Sequence, residues 1–270
     1  LNNNKKLAMI LLAAASIGLA GCTKESSAIS TPSSSQQNSS ISTNTNVNSE
    51  TSDIRNVSNT VKGDISQIDV NNIHSLKIQS NAAIITVIGD KQINQAELEV
   101  SKGNSQGMDT NVTTSIQDGT LQILLKNKLK IINTEPLPSL TIRLPYKEFK
   151  SLEIDNEVGN ISVESELSVQ HLNVSSGTGD VTVTDVIGME SSNISTDVGS
   201  VEFALPDQPA PLYVNLSTKI GTIDNQVALE KETNTTKIVA EELHGYVGKA
   251  QSESATLNIF TQVGEITFKN

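Results

Sequence analysis

One pattern dominates the second half of the chain: apolar, any, apolar, four residues, glycine, any, apolar. Leu152-Ile154-Gly159-Ile161, Leu172-Val174-Gly179-Val181, Val214-Leu216-Gly221-Ile223 and Leu257-Ile259-Gly264-Ile266 all follow it. Ile194-Gly199-Val201 follows it with Ser192 in the first apolar slot, and Ile238-Ala240-Gly245-Val247 with a small second residue. An early copy, Leu76-Ile78-Ala83-Ile85, has alanine in the glycine slot. The glycines at 159, 179, 199, 221, 245 and 264 are separated by 20, 20, 22, 24 and 19 residues. A period near 20 with two-residue alternation predicts an all-β, single-domain β-solenoid, β-helix-like, with coils of about 20 residues. Alternate side chains of each short strand point into an aliphatic core. The glycine marks a corner where φ > 0, or the lack of a side chain, is required. A sandwich of short strands is the competing architecture, but the fixed place of glycine in each unit favours the solenoid.

Stacked coils place equivalent residues in ladders. Three residues before the glycine slot stand Asn156, Ser176, Thr196, Thr218 and Thr261. Their polarity predicts a ladder facing solvent and hydrogen-bonding between coils. Ahead of the regular repeat, residues 94–101, 108–117, 120–127 and 139–144 read as strands, and Asp118-Gly119 is a hairpin signal. Pro206, Pro209 and Pro211 mark a loop bulging from a later coil.

The first sixty residues have a different composition. Lys5 and Lys6 precede an apolar run from Leu7 to Ala20, the layout of a secretory signal. The run ends Leu19-Ala20-Gly21-Cys22. This resembles the bacterial lipobox, which implies a signal peptide over 1–21, cleavage between Gly21 and Cys22, and acylation of Cys22, the only cysteine in the sequence. Two or more acyl chains hold a protein stably on a membrane, at about 0.8 kcal/mol per buried CH₂. Within residues 23–60, Ser, Thr and Asn fill 24 of 38 positions. Such a segment cannot bury enough apolar surface to offset chain entropy. Residues 22–60 are therefore expected to be a lipid anchor and disordered tether, and residues 61–270 the β-strand-repeat domain.

Units such as Ser176-Gly177-Thr178-Gly179-Asp180-Val181-Thr182-Val183, and the ending Gly264-Glu265-Ile266-Thr267-Phe268, resemble the bacterial β-strand-repeat family labelled "putative adhesin", a domain of unknown function. The resemblance implies a cell-surface role and supplies no catalytic residue.

Candidate chemistry is sparse. Gly103-Asn104-Ser105-Gln106-Gly107 matches the nucleophile-elbow spacing, but its polar flanks lack the following helix that the elbow needs. His74, His171 and His244 show no metal-ligand spacing, and the repeat domain has no cysteine, so no zinc site or other cofactor is expected. Gly177-Thr178-Gly179-Asp180 resembles a calcium-binding repeat, but the Asp180 slot holds Asn160, Ser200, Thr222 and Glu265 in other copies, so a solvated face is expected. Lys126, Lys128 and Lys130 alternate on one strand, which fits an edge that blocks aggregation. Of the chain's 30 acids and 19 bases, 27 acids and 15 bases lie in residues 61–270, a net charge of 27 − 15, or −12. That charge opposes nucleic acid and other polyanions. The expected protein is a non-enzymatic binding or structural module, lipid-anchored on the extracytoplasmic face of a bacterial cell membrane, with a Gram-positive setting favoured. Its partners would be membrane lipid through Cys22 and either a cell-wall polymer or a membrane protein. An accessory or sensory subunit of an envelope-stress system is the alternative, and a polysaccharide-acting enzyme the least favoured.

Overall fold

The computed structural model describes residues 59–60, 66–101, 110–127, 137–249 and 254–270. All lie in the unit Ser52–Asn270. The strands, in chain order, are β1 (Asn59–Thr60), β2 (Ser66–Ile68), β3 (Ser75–Ser80), β4 (Ile84–Asp90), β5 (Ala96–Ser101), β6 (Thr110–Gln117), β7 (Thr120–Asn127), β8 (Ser139–Pro145), β9 (Glu148–Val158), β10 (Ile161–Glu164), β11 (Ser168–Thr178), β12 (Val181–Thr184), β13 (Ser191–Val198), β14 (Val201–Ala204), β15 (Leu212–Ile220), β16 (Ile223–Asn225), β17 (Glu230–Thr236), β18 (Glu241–Val247), β19 (Ala255–Val263) and β20 (Ile266–Lys269).

They form two sheets. An eleven-stranded sheet runs β1-β6-β7-β3-β9-β11-β13-β19-β15-β18-β17, and a nine-stranded sheet runs β16-β20-β14-β12-β10-β4-β8-β5-β2. The fold is an all-β, solenoid-like stack of two-armed coils. Each repeat unit supplies a long arm to the first sheet, turns at its glycine slot, and supplies a short arm to the second. The pairs β9/β10, β11/β12, β13/β14, β19/β20 and β15/β16 are built this way, as is β3/β4 with Ala83 at the corner. Parallel register holds residue for residue: Leu152, Ile154, Ile161 and Val163 lie beside Leu172, Val174, Val181 and Val183. All eight are buried between the sheets, and burying a side chain of this size contributes roughly 1.5–3 kcal/mol. Ser192, in an apolar slot, is buried too, and its hydroxyl donates to Met189 Sδ at 3.1 Å.

The predicted strands at 94–101, 108–117, 120–127 and 139–144 correspond to β5 to β8. Asp118 (φ 49°) and Gly119 (φ 68°) close the β6–β7 hairpin as the two left-handed residues of a primed turn. The three prolines of residues 205–211 occupy the loop between β14 and β15.

The stacking order departs from chain order. The last unit, β19/β20, is inserted between β13/β14 and β15/β16. The antiparallel β17–β18 hairpin then covers the free edge of β15. Each unit offers its neighbours the same glycine and hydroxyl pattern. The repeat therefore identifies units without specifying which unit sits beside which.

Candidate functional site

The corner glycines come together in one column. In spatial order it reads Ala83, Gly159, Gly179, Gly199, Gly264, Gly221, with φ between 117° and 155° at the glycines. A β-carbon on Gly179 would meet the Gly159 carbonyl oxygen at 2.3 Å, and one on Gly199 would meet that of Gly179 at 2.1 Å. Both the backbone conformation and the close approach therefore demand glycine. Gly245 is the exception and a correction: it lies inside β18, opposite Val214 in an antiparallel pair, without positive φ. Its spacing imitates the repeat because the β17–β18 hairpin occupies about one period of chain.

The polar ladder is also corrected. Asn156, Ser176, Thr196, Thr261 and Thr218 are in register but buried, at 0%, 3%, 1%, 0% and 1% exposure. They sit under the corners rather than facing solvent. Thr196 Oγ1 donates to the Gly179 carbonyl at 2.9 Å, Thr261 to that of Gly199 at 3.1 Å, and Thr218 to that of Gly264 at 3.2 Å. Asn156 Nδ2 reaches the carbonyls of Ala83, Val158 and Gly159 at 2.9, 3.1 and 3.0 Å. A hydroxyl on one coil thus satisfies a corner carbonyl on the next, the accounting a buried turn requires. Column and ladder are structural.

The calcium-like segment carries a different ladder. Asn160 Oδ1 accepts the Asp180 N–H at 3.0 Å, and Asp180 Oδ1 accepts the Ser200 N–H at 2.8 Å. Asp180 is thereby used in capping the next coil. No grouping of three or more His, Cys, Asp or Glu suited to a metal occurs among the described residues.

His171 lies between a hydroxyl and a carboxylate, with Nδ1 2.9 Å from Ser191 Oγ and Nε2 4.0 Å from Glu190 Oε2. The composition matches a hydrolase triad, but the surroundings do not. The Glu190 N–H is spent on the Gln170 carbonyl and the Glu190 carbonyl on the Thr256 N–H. The ladder thus consumes a backbone donor beside Ser191 that an oxyanion hole would use. His74 stands over the Asp118-Gly119 turn, and His244 pairs across from Asn215 on the outer face of the long sheet. Lys126 is exposed on β7. Gly21, Cys22, Gly103–Gly107, Lys128 and Lys130 lie outside the described residues. Lys147 is set into the fold rather than displayed. Its Nζ donates to the Val70 and Ile73 carbonyls, each at 2.5 Å, and burial lowers its pKa below the ordinary 10.5.

The outer face of the long sheet holds an arrangement that hydropathy does not reveal. Asn173, Asn193, Asn258 and Asn215 occupy one register row on β11, β13, β19 and β15. Asn193 Nδ2 donates to Asn173 Oδ1 at 2.9 Å, Asn258 Nδ2 to Asn193 Oδ1 at 3.0 Å, and Asn215 Nδ2 to Asn258 Oδ1 at 3.5 Å. Ser175, Ser195, Phe260 and Ser217 border the row on one side, and His171, Ser191, Thr256 and Tyr213 on the other. A shallow groove of about 390 Å³ lies over its β9–β13 end, lined by Glu153, Asp155, Asn173, Ser175, Asn193 and Ser195 among others. At the opposite end stand Tyr213 and Tyr246, directly paired across β15 and β18 with ring centroids 5.0 Å apart, and Phe260 on β19. The signal was present in the sequence as a column of asparagines six residues before the glycine slot.

Residues 73–204 match the family model described as Toastrack DUF4097. A solved structure described as "a putative cell adhesion protein" from Clostridium sporogenes ATCC 15579 superposes with a TM-score of 0.53 at 18% identity, covering 77% of this chain and 98% of that one. Another, described as "a putative adhesin" from Bacteroides fragilis NCTC 9343, shares 13% identity over 76% of this chain and 95% of that one, with a TM-score of 0.30. The first of these shares the fold. No curated protein matches the chain.

Proposed function

We propose that this chain, a Toastrack-domain protein by its residues 73–204, is a non-catalytic binding module of the bacterial cell surface, held to the membrane by lipid on Cys22. The observation that carries the reading is the outer face of the long sheet. From β9 to β15 five parallel strands are matched in register, and four of them repeat an asparagine in one row. A flat repeating face suits an extended or multivalent partner, because affinity then grows with the number of simultaneous contacts. The adhesion description of the C. sporogenes relative supports the same reading.

Two measurements test the proposal. The full chain should co-sediment with isolated cell-wall material, and recovery only in the supernatant removes the binding role. Membrane fractionation should find the wild type lipid-modified and Cys22→Ala released or left as an uncleaved precursor. A mature, lipid-modified Cys22→Ala protein would overturn the anchor.

A further inference from the structure

We infer that the asparagine row on the outer face of the long sheet is a binding lane for a neutral glycan of N-acetylated amino sugars, lying across the strands along Asn173, Asn193, Asn258 and Asn215. The inference rests on the surface-binding reading above and gives its ligand a chemistry.

The first argument is hydrogen-bond capacity. A side-chain amide carries two N–H donors and an oxygen with two lone pairs. Asn193 and Asn258 each spend one N–H and one lone pair on their ladder neighbours. One N–H and one lone pair then remain on each, on a face open to solvent. Successive strands place these groups about 4.8 Å apart. An acetamido substituent has the same N–H and C=O as the asparagine side chain. It can therefore bond to a ladder amide as the ladder amides bond to one another, and sugar hydroxyls can take the remaining positions.

The second argument is relief. The bordering serines and threonine are short, and the groove at the β9–β13 end lies along the row. On β13 both neighbours of Asn193, Ser191 and Ser195, are short, so an extended chain can reach that amide from above, whereas toward β19 and β15 the neighbours are the Phe260 and Tyr213 rings.

The third argument is the placement of aromatic rings. The chain has four Phe and three Tyr. Phe149, Phe203 and Phe268 are in the core. Of the other four, Tyr213, Tyr246 and Phe260 gather where the asparagine row meets β15 and β18, and only Tyr146 lies elsewhere. Such rings offer an apolar body, and tyrosine adds a polar tip, which suits the C–H face and hydroxyl rim of a sugar. Lys219 and Lys231, 5.2 Å from the Phe260 centroid and 5.8 Å from that of Tyr246, are flexible covers that a ligand can displace.

The fourth argument is charge. The four asparagines of the row carry no charge; Glu153, ion-paired with Lys77, and Asp155 stand at its β9 end, His244 at its β18 end, and His171 beside Asn173. Together with the domain's net negative charge, this selects a neutral chain over an anionic one.

The test is calorimetric titration of the full chain with chitohexaose, and with cellohexaose as the partner that has hydroxyl in place of acetamido. Saturable binding of chitohexaose is expected, with cellohexaose weaker by about tenfold or more. Asn193→Ala combined with Asn258→Ala, and separately Tyr213→Ala, should each weaken chitohexaose by about tenfold with little change in melting temperature. Equal affinity for the two sugars would overturn the amide argument. Equal affinity of the variants, or a fall in melting temperature with affinity unchanged, would make the row purely structural. A chain that binds wall material but not chitohexaose defeats this inference and leaves the binding role standing, whereas a chain that binds neither defeats both.

Discussion

Gly264 packs so closely on Gly199 that a β-carbon at position 264 would sit 1.8 Å from the Gly199 carbonyl oxygen. The obstacle is backbone and cannot rotate away, and Gly264 also has φ 154°. Gly264→Ala should therefore cost roughly 1–3 kcal/mol for the conformation and a comparable amount for overpacking. Gly248 is the control: its φ is 73° but nothing lies within 4 Å of its would-be β-carbon. Gly248→Ala should cost about 1 kcal/mol. Urea unfolding midpoints decide the matter, and equal losses would show that the corner contact carries no energy.

Beneath the corners, the hydroxyl ladder has unequal rungs. Thr196 donates to the Gly179 carbonyl, so Thr196→Val keeps the volume and strands a carbonyl. A loss of about 1–3 kcal/mol is expected. Ser176 Oγ is buried without a partner. The Gly159 carbonyl that Ser176 would use by analogy already accepts from Asn156 Nδ2 at 3.0 Å. Ser176→Ala should then be neutral within about 0.5 kcal/mol, since no bond is broken. Similar losses for both variants would contradict the rung assignment.

This ladder also shows what the sequence conveys and what it withholds. Asn156 shares the phase of Leu152 and Ile154, so two-residue alternation places it inside, whereas its polarity suggests outside. Alternation prevails because the corner supplies carbonyl acceptors that satisfy a buried donor. The glycine corners were legible because a single residue type meets their geometry. Gly245 was misread because spacing alone was counted, without the antiparallel hairpin that produced it. The asparagine row was missed because a polar residue on an outer face is ordinary one strand at a time, and gains meaning only when stacking brings four together. The row Val158, Thr178, Val198, Val263 and Ile220, whose aliphatic members are 39–53% exposed beside the corner glycines, was likewise hidden, because those members read as core in isolation.

Insertion of the last unit makes an unusual demand on cooperativity. In a solenoid stacked in chain order, deleting the final unit trims one end. Here β19 pairs with β13 on one side and β15 on the other, and β20 with β14 and β16. Deleting residues 255–270 should abolish the cooperative thermal transition of the whole β11–β18 region. A truncated chain with a single sharp transition and native-like hydrogen-exchange protection in β15 would show that the units can close ranks in chain order.

The β6–β7 turn offers a test of coupling between neighbours. A β-carbon on Gly119 would meet the His74 ring, with Nε2 at 2.3 Å, while the Gly119 carbonyl accepts the His74 N–H at 2.9 Å. Gly119→Ala therefore faces two costs of different kind. Positive φ at 68° costs about 1 kcal/mol whatever surrounds it, and the ring contact adds to that unless the imidazole moves. His74 is exposed, so His74→Ala alone should change stability by less than about 0.5 kcal/mol. In the His74→Ala background the steric share of the Gly119→Ala loss should vanish and the conformational share remain. A double-mutant cycle should thus give a favourable interaction energy of about 0.5–1 kcal/mol, within the range for residues in contact. Strict additivity would mean that the imidazole already swings clear at no cost and that the turn is held by its backbone bonds alone.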